Sequence, residues 1–348
     1  MRVRRSAAAA LGLLALLPVL AACGEDASGY GDGDLVPARD DAQFSNGTES
    51  VLALPIGRLE VFLGEPTDRL EAEDTRALEA TAAPDGSTFV PITWQYDAGT
   101  FGDYADYVAS DETPQVELLA DDARYRLPAP QETGKGAESF YVLVAGTASD
   151  LRLEVTYDEV AQSVDLRTGE REPGAAAGLY DLGPRSSRAR DCSAGADFND
   201  TIGLPDYSCR VTAPVRLPYA DGRWAGEGRT FLAVTVTTAV RRFDVLGPLP
   251  GSGAIYAPAS VSSTFELDGR EPVSSVQDVV DTCPAPGGIG CTGRYHLVFE
   301  VEDGARNRLA VEQTFNLLLG SRWGDVERED RLDLDVSLDV RLKPAARR

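Results

Sequence analysis

The chain has 348 residues, 43% of them hydrophobic, enough for one large core or two ordinary ones. Its formal charge is −23, and its basic side chains are nearly all arginine, Lys135 and Lys343 being the only lysines. So acidic a chain lacks the concentrated positive surface that phosphate binding needs, which excludes nucleic acid as a partner.

Residues 1–22 have the pattern of a secretory signal. Arg2, Arg4 and Arg5 form a positive start, and residues 7–20 form an uncharged apolar run too short to be a membrane span. The run ends in Leu20-Ala21-Ala22-Cys23. These four positions resemble the lipobox of bacterial lipoproteins, in which the cysteine is lipid-modified and becomes the N-terminus after cleavage. The resemblance implies a membrane partner through an N-terminal lipid on Cys23 and a location on the extracytoplasmic face of the cell membrane. Each acyl methylene buried in the bilayer adds about 0.8 kcal/mol, so several chains hold a protein there. With the three arginines removed, the mature charge is about −26. Residues 23–48 are small, polar and acidic, with Gly29, Gly31, Gly33, Asp32, Asp34, Asp40 and Asp41, and predict a disordered tether. A flexible coil of that length spans roughly 25–30 Å.

From 49 to 182 the sequence predicts a first β-sandwich domain. The clearest strands are at 59–63, 89–96, 116–119, 140–144 and 151–157, separated by turn signals such as Pro84-Asp85-Gly86 and Gly134-Lys135-Gly136. Residues 183–208, with Pro184, Gly195, Gly203 and Pro205, predict a connector, and Arg185, Arg188 and Arg190 within it predict a solvated loop. A second β-sandwich domain is expected at 209–344. Its strands are predicted at 211–217, 230–240, 261–267, 295–302 and 309–318, and the spacing of Val276, Val279 and Val280 predicts a short helix at 274–281. The last strand is the cleanest: Leu332, Leu334, Val336, Leu338, Val340 and Leu342 alternate with polar residues, one face on a core and one in water.

The order of strands between 51 and 171, with Phe89-Val90-Pro91-Ile92-Thr93-Trp94, Tyr157-Asp158 and Ser163-Val164-Asp165-Leu166-Arg167-Thr168-Gly169, resembles an immunoglobulin-like domain of unknown function. That domain occurs in Gram-positive, especially actinobacterial, surface lipoproteins and in secreted mycobacterial antigens. The Arg-, Ala- and Gly-rich composition fits a GC-rich genome of that kind. The fold class expected is all-β, with two immunoglobulin-like β-sandwich domains in tandem after the tether. The resemblance brings no catalytic residues with it.

Besides Cys23 there are four cysteines, and an even remainder in an exported chain predicts two disulfides. Three pairings are open. Cys192 with Cys209 and Cys283 with Cys291 is favoured, since each pair brackets a loop rich in turn residues, and such loops stabilise by roughly 2.5–3 kcal/mol each when closed. The thiols lack the C-x-x-C spacing of a zinc site, so no metal is expected.

His296 is the only histidine, which rules out any acid–base triad or histidine metal centre that does not use it. It lies on an alternating strand opposite Tyr295, Leu297, Phe299 and Val301, where a sheet-surface residue is expected rather than a base. Gly288-Ile289-Gly290-Cys291-Thr292-Gly293 matches G-x-G-x-x-G but follows prolines and runs into a strand, so it cannot present a helix N-terminus to a pyrophosphate, and no cofactor is expected. Tyr96, Phe101, Tyr104 and Tyr107, interleaved with Asp97, Asp103, Asp106 and Asp111, form the candidate partner-binding loop unless the rings fold back over the core. The expected function is a non-enzymatic, lipid-anchored binding or structural module whose partner is an envelope protein or glycan. The alternative is a carboxylate-dependent hydrolase acting on envelope glycans.

Overall fold

The structure, a computed structural model, describes residues 29–98, 104–131, 136–182, 189–199, 203–278, 283, 290–302, 307–325 and 327–342. The signal, Cys23 and Phe101 lie outside these residues. As the alternation predicts, the described chain is built from antiparallel strands, and its α-helices are four-residue turns.

The first half contributes β1 (Leu35–Pro37), β2 (Thr48–Leu54), β3 (Gly57–Leu63), β4 (Ser87–Asp97), β5 (Gln115–Ala120), β6 (Ala123–Leu127), β7 (Glu138–Ala145), β8 (Leu151–Tyr157), β9 (Val160–Asp165) and β10 (Arg171–Glu172). They form two five-stranded sheets, ordered β1-β7-β4-β3-β2 and β10-β9-β8-β5-β6. Alternate residues of each, among them Leu59 and Val61, Val90 and Ile92, Val116 and Leu118, and Leu153 and Val155, fill one shared core.

The first strand overturns the expected tether. Val36 and Ala38 are buried with Leu70, Phe89, Tyr141 and Leu143, while Tyr30 and Phe44 pack on that cluster. β7 would otherwise end its sheet with unpaired backbone groups, and β1 covers them in register Leu35↔Val142. Three residues are too few to show a period in sequence, which is why an acidic, glycine-rich stretch concealed a strand.

The second half contributes β11 (Arg190–Asp191), β12 (Ala196–Phe198), β13 (Gly203–Val211), β14 (Val215–Leu217), β15 (Arg229–Leu246), β16 (Gly253–Leu267), β17 (Ser274–Gln277), β18 (Cys291–Glu302), β19 (Arg308–Trp323) and β20 (Arg331–Arg341). All belong to one ten-stranded sheet running β11-β13-β15-β16-β19-β20-β12, with β14 and β18 also on β15 and β17 on β18. The 18-residue β15 takes β18 along residues 229–240 and then passes the same edge to β16 at 243–246. The sheet thereby doubles over. Leu232, Val234 and Leu297 on one layer meet Phe265, Val311 and Leu338 on the other. A second cluster, with Phe243, Tyr256 and Phe315, closes the end where β15 turns into β16.

Two further expectations change. Residues 189–199 and 203–208 are not a free connector: β11 pairs with β13, β12 pairs with β20, and Cys192–Cys209 fastens the segment to the sheet, while Arg185 and Arg188 lie outside the described residues. Residues 274–277 form strand β17, paired with β18 in register Val276↔His296, rather than a helix; an open strand edge outweighed a short run of valines at helical spacing. Residues 279–282 lie outside the described chain. Both favoured disulfides, Cys192–Cys209 and Cys283–Cys291, are present.

Candidate functional site

The two halves meet at the segment that follows β4. Here α1 (Ala105–Val108) makes one helical turn and ends at Ala109, whose φ of 45° lies in the left-handed region. Its last carbonyls have no partner within so short a helix. They are met from the second half: the N–H groups of Asp221 and Gly222 donate to the carbonyls of Tyr107 (2.9 Å) and Val108 (2.8 Å).

Tyr104 and Tyr107 are three residues apart and so project from one side of the turn. Both are buried, in a cluster with Leu217, Ala220, Phe231, Ala233 and Val298. Phe231, Ala233 and Thr235 share the outer face of β15, opposite the core residues Leu232 and Val234, and His296 stands beside Thr235 by strand register. The expected face for His296 is therefore correct, but the face is covered and the side chain is only 11% exposed. The Tyr107 hydroxyl lies 2.7 Å from Thr235 Oγ1, which in turn lies 3.2 Å from His296 Nδ1. Asp106 Oδ2 is 3.6 Å from that nitrogen, and the Tyr107 ring packs edge-on to the imidazole at 5.7 Å. Thr235 is buried and engaged on both sides, so this chain of polar groups offers no accessible nucleophile.

Ser110, immediately after the strained Ala109, is the second point of attachment. Its Oγ accepts hydrogen bonds from Tyr157 (2.7 Å) and Tyr219 (3.0 Å), one phenol from each half. Trp224 Nε1 donates to the Tyr157 carbonyl at 3.0 Å, and the Tyr157, Tyr219 and Trp224 rings stack edge to face. Burial lifts both phenols above the usual tyrosine range, so they stay neutral and keep their protons for Ser110.

Beside this joint lies an open groove of about 510 Å³, lined among the described residues by the Pro55-Ile56 turn, Ala98, Ala105 and Val108 to Asp111. Its walls are small and aliphatic, with Ser110 and Asp111 supplying polarity. Tyr96 stands at this end of the first sheets, its hydroxyl donating to the Ile56 carbonyl at 2.9 Å. Of the four aromatic residues expected to contact a partner, Tyr104 and Tyr107 are thus turned inward against the second half, because the face of β15 offers them more apolar surface than solvent does. Tyr96 is half-buried and Phe101 is outside the described chain.

A second groove, of about 720 Å³, lies among Asp268, Asn307, Arg308, Asp339 and Arg341. Arg308 and Asp339 bind each other through two parallel contacts, Nε to Oδ1 at 3.0 Å and Nη2 to Oδ2, which holds the Asp339 carboxyl below its ordinary range. The other carboxylates that move clearly, Asp121, Asp165, Asp191 and Glu300, move down as well. For Glu300, burial pushes upward and is outweighed by Arg223, the Gly226 N–H and Arg229. A general acid for glycoside hydrolysis needs the opposite shift. Among the described residues no cluster of three or more histidine, cysteine or carboxylate side chains is arranged to hold a metal, and no helix is long and apolar enough to cross a membrane.

Ser110, Tyr157, Thr235, Tyr219 and Trp224 escaped sequence reasoning. A faint signal existed for the turn itself, since Tyr104 and Tyr107 are at helical spacing; nothing local marks the residues this segment meets, such as Tyr157, 47 positions from Ser110, and Thr235, 128 positions from Tyr107. No protein-family model matches the chain, and comparison with curated proteins finds no match.

Proposed function

We propose that this protein is a lipid-anchored extracytoplasmic module of the cell envelope, held by Cys23, that binds or braces a protein or glycan there through two immunoglobulin-like domains in tandem. The observation that carries this reading is the arithmetic of the cysteines. The chain has five, four of them close into the two disulfides of the fold, and the one left over stands at the end of the lipobox-like Leu20-Ala21-Ala22-Cys23. Disulfides persist in oxidising compartments, and an odd cysteine behind an apolar leader has lipidation as its natural use. Folded structure is reached early: Tyr30 already packs on the cluster around Val36 and Phe89, seven positions after Cys23, so the first half would sit close to the anchored end.

The test is fractionation of cells expressing the chain and its Cys23→Ala variant, with the mass of the N-terminal peptide. The wild-type chain is expected in the membrane fraction with an acylated N-terminal cysteine, and the variant in the soluble extracytoplasmic fraction with both disulfides intact. A variant that stays with the membrane, or an unmodified Cys23 in the wild type, overturns the reading.

A further inference from the structure

The chain has one imidazole, and imidazole is the side chain whose charge ordinarily changes between about pH 5 and 8. Other groups that move clearly move away from that range. Carboxylates such as Asp121 and Glu300 go down, and the buried phenols Tyr157 and Tyr219 go up. His296 is therefore the residue through which this fold can respond to a proton near neutrality, and it stands at the joint.

Its surroundings are set by the strands. Thr235 is held in place, since its N–H donates to Thr212 Oγ1 at 2.9 Å and its carbonyl accepts the Thr212 N–H at 3.0 Å. The Thr235 hydroxyl lies between the Tyr107 hydroxyl (2.7 Å) and His296 Nδ1 (3.2 Å), and its single proton serves one of them at a time. With Nδ1 bare, Tyr107 donates to Thr235 and Thr235 to the ring, and the Asp106 carboxylate faces a nitrogen lone pair at 3.6 Å. With Nδ1 protonated, Thr235 Oγ1 turns acceptor and the same carboxylate faces a positive charge. The other charges nearby are engaged with one another. On the strand and face of His296, Arg294 is held by Asp278, just past β17, at 3.3 Å, and Glu300 by Arg223 and Arg229. β17 sets the uncharged Val276 beside the ring. Among the described residues the carboxylate that meets Nδ1 thus comes from the other half of the molecule. The imidazole side chain is 11% exposed and that of Asp106 54%, so the carboxylate answers the buried ring without losing its own water.

We propose that His296 and Asp106 are a proton-operated latch: proton uptake by the imidazole closes an ion pair across the joint, and opening the joint releases the proton. The pair exists only while the halves are together. The stability it adds is therefore present in acid and lost as pH rises through the titration of His296. The turn that carries Asp106 also offers its Tyr107 and Val108 carbonyls to the N–H groups of Asp221 and Gly222, so these two amides report on the joint itself.

The test uses the full chain with Cys23→Ser, exported so that its disulfides form. Deuterium exchange of the Asp221 and Gly222 amides, corrected for the intrinsic effect of pH, is followed from about pH 8 to 5.5 beside the NMR signal of the single imidazole. Protection of both amides is expected to rise about threefold as the ring takes its proton, the size of a half-exposed ion pair. Asp106→Asn, a change at a half-exposed side chain, removes most of that gain, and His296→Gln, uncharged throughout, shows none. Should His296→Gln fail to fold, Asp106→Asn and the wild-type titration still decide. Protection that stays flat or falls in acid, an imidazole that does not titrate over this range, or a gain that survives Asp106→Asn overturns the proposal.

Discussion

Asp121 shows how much of this fold depends on single polar side chains in turns. Its Oδ1 accepts from the Ser149 and Asp150 N–H groups, each at 3.0 Å, and from the Ser149 hydroxyl at 2.7 Å, while Oδ2 accepts from the Thr147 N–H. The Asp150 N–H, then the Ser149 hydroxyl, hold its carboxyl below the ordinary range. A depressed folded pKa contributes stability that is complete above the unfolded value of about 3.9 and is lost as pH falls through the folded one. Asp121→Asn suits the test because asparagine tolerates the left-handed φ of 48° while losing one acceptor and the charge. We expect a loss of about 1 kcal/mol at pH 7 and a flatter dependence on pH below 4, read from urea unfolding at several pH values. Residues of this kind are hard to read in a sequence. Asp121 sits in an ordinary two-residue turn, and the loop it organises starts 26 positions later.

At the scale of elements, the Tyr104–Asp111 segment acts as a clasp whose two fastenings differ in strength. Tyr107→Phe removes one hydroxyl, but Thr235 keeps His296 as a neighbour, so the cost should be about 0.5–1.5 kcal/mol. Ser110→Ala strips the shared acceptor from two buried phenols and should cost more, about 1–3 kcal/mol. Chemical denaturation of the two variants side by side tests the order, and a Tyr107→Phe variant less stable than Ser110→Ala would contradict it. Long alternating strands were legible in advance. The pattern from Leu332 onward became β20, and the alternation at 151–157 became β8 to the residue. Short elements were not: β1 and β17 have three and four residues, below the length at which a period can be recognised, and each exists because a neighbouring strand left an edge open. The aromatic segment was found, but its direction was not, because the sequence around Tyr104 carries no trace of the β15 face that it covers.

For the whole molecule, the clasp and the apolar cluster beneath it imply that the two halves unfold together. Phe231 lies on the outer face of β15 and is fully buried there among residues from both halves, with the Arg223 guanidinium over its ring at 4.9 Å. Replacing it with alanine removes contacts inside the joint without touching either internal core, and we expect about 3–4 kcal/mol of destabilisation. Differential calorimetry should show one transition for the wild type and, in Phe231→Ala, a separation into two. Two transitions in the wild type would show the joint to be weak. The all-β class was legible because strands this long must alternate; the joint was not, since its partners come from separate stretches of chain that only the folded topology brings together.

The length of β15 also has a mechanical meaning. From Thr235, under the clasp, to Leu246, at the far end, one continuous strand runs eleven residues, about 35 Å. It joins the contact with the first half to the far turn that leads into β16. A pull between that turn and the clasp runs along its axis, across hydrogen bonds that lie perpendicular to the strands. The ladders to β13 and β18 are then strained in shear, many bonds at once, rather than peeled apart singly. Load applied between those two points would thus be borne in the direction in which the sheet resists most.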